Sequence, residues 1–393
     1  CKYPIFRHFK IRRMKNKIRL YLWVLMSWTM MGCSSSLNVE KEPEKVEETA
    51  DFYKGADISW VTELESEGHK YYNKSGQERE CTALMKEYGM NSVRLRVWVD
   101  PSKHGNWCNK EDVLVKAKRA KAHGMEVMID FHYSDWWADP AKQNIPASWK
   151  GHSYEEMKKD LASHTKEVLQ LLKDNAITPK WVQVGNETTN GMLWSVKTNE
   201  QGWEIKDENG NTIITESMGH ASRNPEQYAG FFQAGNEAVK SIFPDAIVIV
   251  HLDNGFDAAL YDWNLGILKS NGAKFDLIGM SLYPYWAEMY HNKTAEETIS
   301  SCIANIKRIR AKYNCDVMIV ETGMLCADEH GKLINSSVLE EGYNQLLRII
   351  KESKAVGCKG VFYWEPACKP SQYKLGAFTE DGHPTRIMDA FKE

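Results

Sequence analysis

The chain has 393 residues, 42% hydrophobic and 26% charged, with a formal net charge of −3 at pH 7. That is enough apolar material for a large single α/β domain of roughly 250 residues or more with additions. A near-neutral balance with no clustered basic face excludes a nucleic-acid binder, and no nucleic-acid partner is expected.

The first element reads as a targeting segment. Met14 stands where an initiator would, followed by Lys15, Lys17 and Arg19, the apolar run 20-LYLWVLMSWTMM-31, and Gly32-Cys33. The run is shorter than the about 20 residues a membrane-spanning helix takes, and it fits the apolar region of a signal peptide. Gly before Cys resembles the bacterial lipobox. Residues 1–33 are therefore expected to be upstream residues and a lipoprotein signal peptide, with Cys33 lipidated; cleavage that leaves Cys33 unmodified is the alternative. The mature protein would then be exported and lipid-anchored to the cell envelope, at the outer membrane or cell surface. Residues 34–51 are polar and acidic, without apolar periodicity, and read as a flexible linker.

From residue 52 onward, short apolar strands alternate with amphipathic stretches. The strands are expected at 56–60, 92–98, 125–131, 181–185, 246–252, 275–282, 315–321 and 359–365. Helices are expected near 77–89, 111–123, 154–174, 226–241, 257–270, 294–312 and 338–354, with a short last one near 385–392. Eight β-α units in series predict an α/β fold of the (β/α)8 barrel type, a single domain over 52–393. A doubly wound open sheet is disfavoured because no Gly-rich phosphate turn follows the first strand. Asn209-Gly210 within 201–217 predicts a hairpin inserted after strand four. Besides Cys1 and Cys33, seven cysteines remain, an odd number that leaves at least one free thiol, and no C-x-x-C pair suggests zinc or thiol redox chemistry.

Barrel enzymes place their chemistry at the C-terminal ends of the strands. There the chain offers Asp57; Arg94, Arg96 and Trp98; Asp130, His132 and Asp135; Asn186 and Glu187; His251 and Asp253; Tyr283; Glu321; and Trp364 with Glu365. Alone, Glu187 reads as readily as an acid at a helix N-terminus, Glu321 as a plain strand end, and the arginines as a structural ion-pair network. Together, the carboxylates at strands four and seven match glycoside hydrolysis, in which one protonates the leaving oxygen and the other attacks the anomeric carbon. The 14 Trp and 17 Tyr, many beside acids, His or Asn, suit sugar rings, whose apolar faces stack on aromatics while their hydroxyls need polar partners.

The segments 55-GADISWVTELESEG-68, 90-MNSVRLRVWVDP-101, 129-IDFHYSDWWADPAKQ-143, 183-QVGNETTNGMLW-194 and 320-VETG-323 resemble glycoside hydrolase family 53, the clan A endo-β-1,4-galactanases. The likeness runs from about Tyr53 to the C-terminus, and FHYSDWWADPAKQ is its most specific part. It implies a retaining enzyme acting on β-1,4-galactan, the side chain of pectic arabinogalactan type I, and on galacto-oligosaccharides. By that resemblance Glu187 is the acid/base, Glu321 the nucleophile, Arg94 the support of the nucleophile, Asn186 a contact to the sugar at the cleavage point, and Trp364 the aromatic beneath it. Asp57, His132, Asp139 and Tyr283 are implied as cleft residues. No cofactor is expected: the calcium that some members carry after strand eight takes six to eight oxygen ligands, and 365–385 has only Glu380 and Asp381 close together. The chain is expected to act as a monomer. The alternatives are another clan A β-glycanase of mannanase or xylanase type, or a non-catalytic surface glycan-binding lipoprotein, which would be expected to lack one of the two carboxylates.

Overall fold

The computed structural model describes residues 52–200 and 202–393; the expected leader, Cys33 and the acidic linker lie outside the described residues. Eight parallel strands close into a barrel: β1 (Tyr53–Asp57), β2 (Ser92–Val97), β3 (Glu126–Phe131), β4 (Trp181–Val184), β5 (Ile247–Leu252), β6 (Leu277–Leu282), β7 (Asp316–Thr322) and β8 (Gly360–Trp364). Each pairs with its neighbours in sequence, and β1 closes the ring against β8, Asp57 opposite Trp364. This is the (β/α)8 architecture that the alternation predicts. The first strand starts earlier than 56, because Tyr53 and Gly55 already pair with Gly360 and Phe362. The apolar residues that follow it, Ile58, Trp60 and Val61, belong to the turn and short helix α1 (Val61–Ser66) instead.

The outer helices follow the sequence pattern closely. Helix α4 (Tyr154–Asp174) begins at Ser153, whose hydroxyl and the Glu156 carboxylate form a reciprocal capping box. Its buried stripe, Met157, Leu161, Val168, Leu169 and Leu172, recurs at helical spacing. Helix α8 (Ala295–Tyr313) uses the same device at Thr294 and Glu297. The insertion after β4 is a longer ribbon than one hairpin: Ser195–Val196 pairs antiparallel with Ile214–Glu216, and bridges Thr198–Glu204 and Lys206–Thr212 fold the segment between them. The last expected helix is a 3-10 turn over Arg386–Lys392. Among the described residues, all seven cysteines are unpaired.

The barrel interior is two layers. The lower is apolar, formed by Met128, Trp181, Ile249, Leu277, Met318, Val320 and Phe362. Two glycines make room for it: a Cβ on Gly55 would stand 2.3 Å from the Phe362 ring, and one on Gly279 would stand 2.9 Å from Ile249 and 3.0 Å from Val320. The second glycine matters because β7 carries a bulge. Gly279 lies opposite Met318, but Ser281 lies opposite Glu321, so the register slips by one residue at Val320. Strict alternation from Met318 would turn Glu321 out of the barrel; the slip turns it in.

Gly279→Ala therefore presses on the bulge that aims Glu321. Overpacking of this kind costs about 1–3 kcal/mol. The expected outcome is a lower thermal midpoint together with a loss of turnover larger than any change in KM. An Ala variant with unaltered turnover would show that the bulge does not depend on this gap.

Candidate active site

Above the apolar layer, each strand contributes one inward residue: Asp57 from β1, Arg94 from β2, Asp130 from β3, Gln183 from β4, His251 from β5, Ser281 from β6, Glu321 from β7 and Trp364 from β8. All but Trp364 are buried. At the centre is the Arg94 guanidinium, fully buried. Its Nη1 donates to Asp57 Oδ2 at 2.8 Å, its Nε to Gln183 Oε1 at 3.3 Å and its Nη2 to Asn186 Oδ1 at 2.8 Å. The same Nη2 lies 2.9 Å from Asp130 Oδ2 and 2.8 Å from Glu321 Oε1. Burial lowers the Arg94 pKa, but Asp130, Glu321 and Asp57 outweigh it and raise the value overall, so the charge is permanent. Asp130 in turn is lowered: burial works against its charge, and Arg94 and His132 win.

Glu321 presents two unlike oxygens. Oε2 accepts a 2.9 Å hydrogen bond from the Tyr283 hydroxyl. Oε1 has the positive charge of Arg94 beside it but takes no aligned hydrogen bond. Oε1 is thus a buried oxygen with an unspent lone pair, next to a charge that favours the ionised form. Burial raises the Glu321 pKa to about 7, with Arg94 pulling against it.

Glu187 sits in a different environment. Gly185 (φ +86°) and Glu187 itself (φ +44°) take left-handed backbone as the chain leaves β4, and a Cβ on Gly185 would come within 2.4 Å of Thr188. His251 Nδ1 receives the Glu187 backbone N–H at 3.2 Å and the Gln183 side-chain amide at 2.9 Å. Nδ1 also lies 3.2 Å from Asn186 Oδ1, but that oxygen already accepts from Arg94 Nη2; the two donors make Nδ1 the acceptor nitrogen, and the ring proton is assigned to Nε2. Nε2 then donates to Ser281 Oγ at 2.9 Å, and Ser281 donates to Glu187 Oε1 at 2.6 Å. Burial, then the Arg94 charge, lowers the His251 pKa well below its ordinary value and keeps the ring neutral. The Glu187 pKa is raised well above the carboxylate range, by burial first, then by the charges of Glu321 and Asp253. Since Oε1 is the acceptor of the Ser281 hydroxyl, the proton belongs on Oε2.

The remaining expected residues divide. Asn186, buried, spends one amide hydrogen on the Ala138 carbonyl at 2.8 Å and keeps the other. Tyr283 is half-buried at the mouth, and Trp364 is half-buried with its ring 5.2 Å from Trp60 and 4.8 Å from Tyr373. Asp139 lies at the rim in an ion pair with Lys142. Asp57 and His132 are supports rather than cleft surface. Asp57 is wholly buried, with one oxygen on Arg94 and the other on Ser59. His132 has Nε2 on Asp130 at 3.1 Å and Nδ1 on the Ala138 N–H at 3.2 Å, so neither ring nitrogen is left for a ligand. The stretch after β8 does not fit a calcium ion: Glu365 turns to Trp60 N–H and Arg96, Glu380 to Ser371, and Asp381 to Thr379.

Sequence reasoning undervalued Asp130 and His251 and missed Gln183 and Ser281. The signal for the last two was parity: a polar residue on an otherwise apolar strand, two positions before Gly185 and Tyr283 respectively, shares the inward face.

Residues 53–387 match the family model described as glycosyl hydrolase family 53. The endo-beta-1,4-galactanase of Bacillus subtilis (strain 168) is 30% identical over 393 aligned positions, covering 91% of this chain and 83% of that one. A probable arabinogalactan endo-beta-1,4-galactanase A of Neosartorya fischeri is 31% identical, covering 80% and 84%. Among solved structures, one of two fungal beta-1,4-galactanases superposes with a TM-score of 0.72 at 27% identity, covering 88% of this chain and all of that one.

Arg94→Met would leave Asp57 and Asp130 buried without their cation. Breaking a buried pair from one side costs about 3–5 kcal/mol, so a clear fall in the urea midpoint at pH 7 is expected. The pH dependence of the Asp130 contribution reverses sign. In the parent, Asp130 has a lowered pKa, so its contribution is present above the unfolded value and lost on acidification. In the variant, Asp130 without its cation has a raised value, so its contribution is lost as pH rises. Midpoints at pH 5 and 7 check this: a deficit that fails to shrink at pH 5 counts against it.

Proposed function

The chain belongs to glycosyl hydrolase family 53, and from that premise we propose that it cuts β-1,4-galactan by double displacement, with Glu321 as nucleophile and Glu187 as acid/base. It is an endo-β-1,4-galactanase. The observation that carries the assignment of roles is the inequality of the two carboxylates. Glu321 shares Arg94 and Tyr283 and is raised only to about 7, while Glu187 lacks a cation and is raised well above its ordinary range. Two coupled acids pushed apart in this order leave one proton, and it resides on Glu187.

In the first step the Glu321 carboxylate attacks the anomeric carbon as the bond to the leaving oxygen breaks. Glu187 Oε2 delivers its proton to that oxygen, and a galactosyl ester on Glu321 forms. Glu187, now ionised, takes a proton from water; the water oxygen attacks the same carbon, the ester bond breaks, and the β configuration is restored. Arg94 and Tyr283 favour ionised Glu321 before attack and after release. Ser281, held by neutral His251, favours the ionised Glu187 that the second step needs. The remaining Asn186 amide hydrogen suits the sugar 2-hydroxyl, and Trp364 suits the ring's apolar face. The natural substrate fitting this specificity is the galactan side chain of pectic arabinogalactan type I. A mannanase or xylanase reading is tested by reducing-sugar release across a polysaccharide panel.

Glu321→Gln is expected to reduce galactan turnover to background. Glu187→Gln should cost about 10²–10⁴-fold on galactan and much less on an aryl galactoside whose leaving group needs no proton. Proton NMR of the first product should show the β-anomer. Near-normal turnover of Glu321→Gln, or an α-anomer appearing first, would overturn the mechanism.

The lipoprotein reading rests on residues 14–33. In a bacterial host, Cys33→Ser is expected to move the enzyme from the membrane fraction to the soluble one and to abolish labelling by radioactive palmitate. Membrane retention of the Ser variant would sink the anchor.

A further inference from the structure

Among the described residues, four large hydrophobic side chains are exposed: Val115, Trp263, Met289 and Tyr290. Val115 and Trp263 stand singly on outer helices, α3 (Lys110–Ala122) and α6 (Ala258–Ser270), as scattered surface apolars do. Met289 and Tyr290 are adjacent, 58% and 59% exposed, on a helix that starts directly after the site: α7 (Pro284–His291) follows Tyr283, which holds Glu321. The inner side of α7 is settled, with Ala287 buried and the His291 ring 5.3 Å from Phe256. The other side carries Trp286, Met289 and Tyr290, which share a face at spacings of three and four. The Trp286 and Tyr290 rings lie 5.8 Å apart and nearly parallel, at 21°. The face is continuous with the cleft: Trp286 Nε1 donates to the Tyr373 hydroxyl at 3.3 Å, and the Tyr373 ring lies 4.8 Å from Trp364. An aromatic row therefore runs Trp364, Tyr373, Trp286, Tyr290, from the reacting centre to the rim.

We propose that Trp286, Met289 and Tyr290 form a distal subsite that stacks a galactosyl residue of the bound chain beyond the sugar at Trp364. This rests on the galactanase reading. The occupant is argued from chemistry and continuity. The axial O4 of a β-galactosyl residue, glycosidic within a 1,4-linked chain, leaves the opposite ring face, with its C–H bonds at carbons 3, 4 and 5, apolar, and such a face packs on an aromatic ring. A row of rings that begins at the cleavage point leads the same chain outward. Lys374 lies 5.7 Å over the Trp286 ring and hydrogen-bonds to Tyr285, which ties α7 to the loop carrying Tyr373.

The test is the ratio of kcat/KM on galactohexaose to kcat/KM on galactotriose. In Tyr290→Ala that ratio should fall by about three- to tenfold, through KM on the longer sugar. Tyr290→Phe, which keeps the ring, should retain the wild-type ratio. Tyr290 is exposed, and equal thermal midpoints will show that both variants fold. A ratio unchanged in Tyr290→Ala and in the Met289→Ala/Tyr290→Ala double variant overturns the subsite. Failure of the functional reading is a separate result, in which the wild type leaves galactan and galactohexaose uncut. The platform is then judged by titrating galactohexaose against tryptophan fluorescence: equal Kd values for wild type and Tyr290→Ala overturn it, and weaker binding by the variant supports it.

Discussion

The site is organised by one buried cation shared among more acceptors than it has charge. Arg94 faces Asp57, Asp130 and Glu321, and it also holds Gln183 and Asn186. In a low-dielectric interior a guanidinium without partners would be prohibitive, and so would three carboxylates without it. Their mutual need ties β1, β2, β3, β4 and β7 into a single polar layer. The rigid fork of the guanidinium adds direction to charge: Nη1 goes to Asp57, which Ser59 fixes from the other side, and Nη2 is thereby aimed at the cleft. Glu321 is consequently held beside a positive charge that two other acids have already partly claimed. That keeps it ionisable without binding it so tightly that its lone pair is lost.

The neighbouring half of the layer works with neutral groups. His251 is deprived of charge by burial and by Arg94, so it relays orientation and not charge. Its Nδ1 pins the backbone of Glu187 while its Nε2 pins Ser281, and both ends converge on one carboxyl group. This explains how a residue in strained left-handed backbone is kept there. The strain is local to the turn after Gly185, and the hydrogen bonds that oppose it are those that set which carboxyl oxygen carries the proton.

Much of this was legible in the sequence, because a barrel writes its topology as repeated short strands and its site as the polar residues that end them. The eight strands and the long outer helices were visible in that pattern, which also offered Glu187 and Glu321 as a candidate pair. The strand ends did not reveal depth. Asp57 and His132 look like cleft residues on a list, yet both are consumed in holding Arg94 and Asp130. Periodicity also misses a bulge: it puts Glu321 on the wrong face of β7, and only the slip at Val320, with the gap at Gly279, corrects it. Gln183 and Ser281 were hidden because single polar residues within apolar strands carry little signal until their inward parity is matched to their neighbours.

The aromatic wall follows the same logic of shared partners. Arg96, two residues after Arg94 on the same face of β2, is also buried, but its company differs. Its guanidinium lies 4.2 Å from the Trp137 ring centre, 4.7 Å from Trp98 and 5.6 Å from Trp60, with Glu365 as its counter-ion at 3.3 Å. Cation–π contacts are strongest where water is excluded, so this one charge orients several rings at once. Trp60 and Trp137 in turn pack edge-on or tilted against Trp364. The two arginines of β2 thus divide the labour of the cleft. On the proposed mechanism, one sets the charge of the group that attacks, and the other sets the angle of the surface on which the sugar is to lie. A change at Arg96 would reach the substrate through tilted rings and leave the carboxylate pair in place, which is why chemistry and recognition can vary separately on this scaffold.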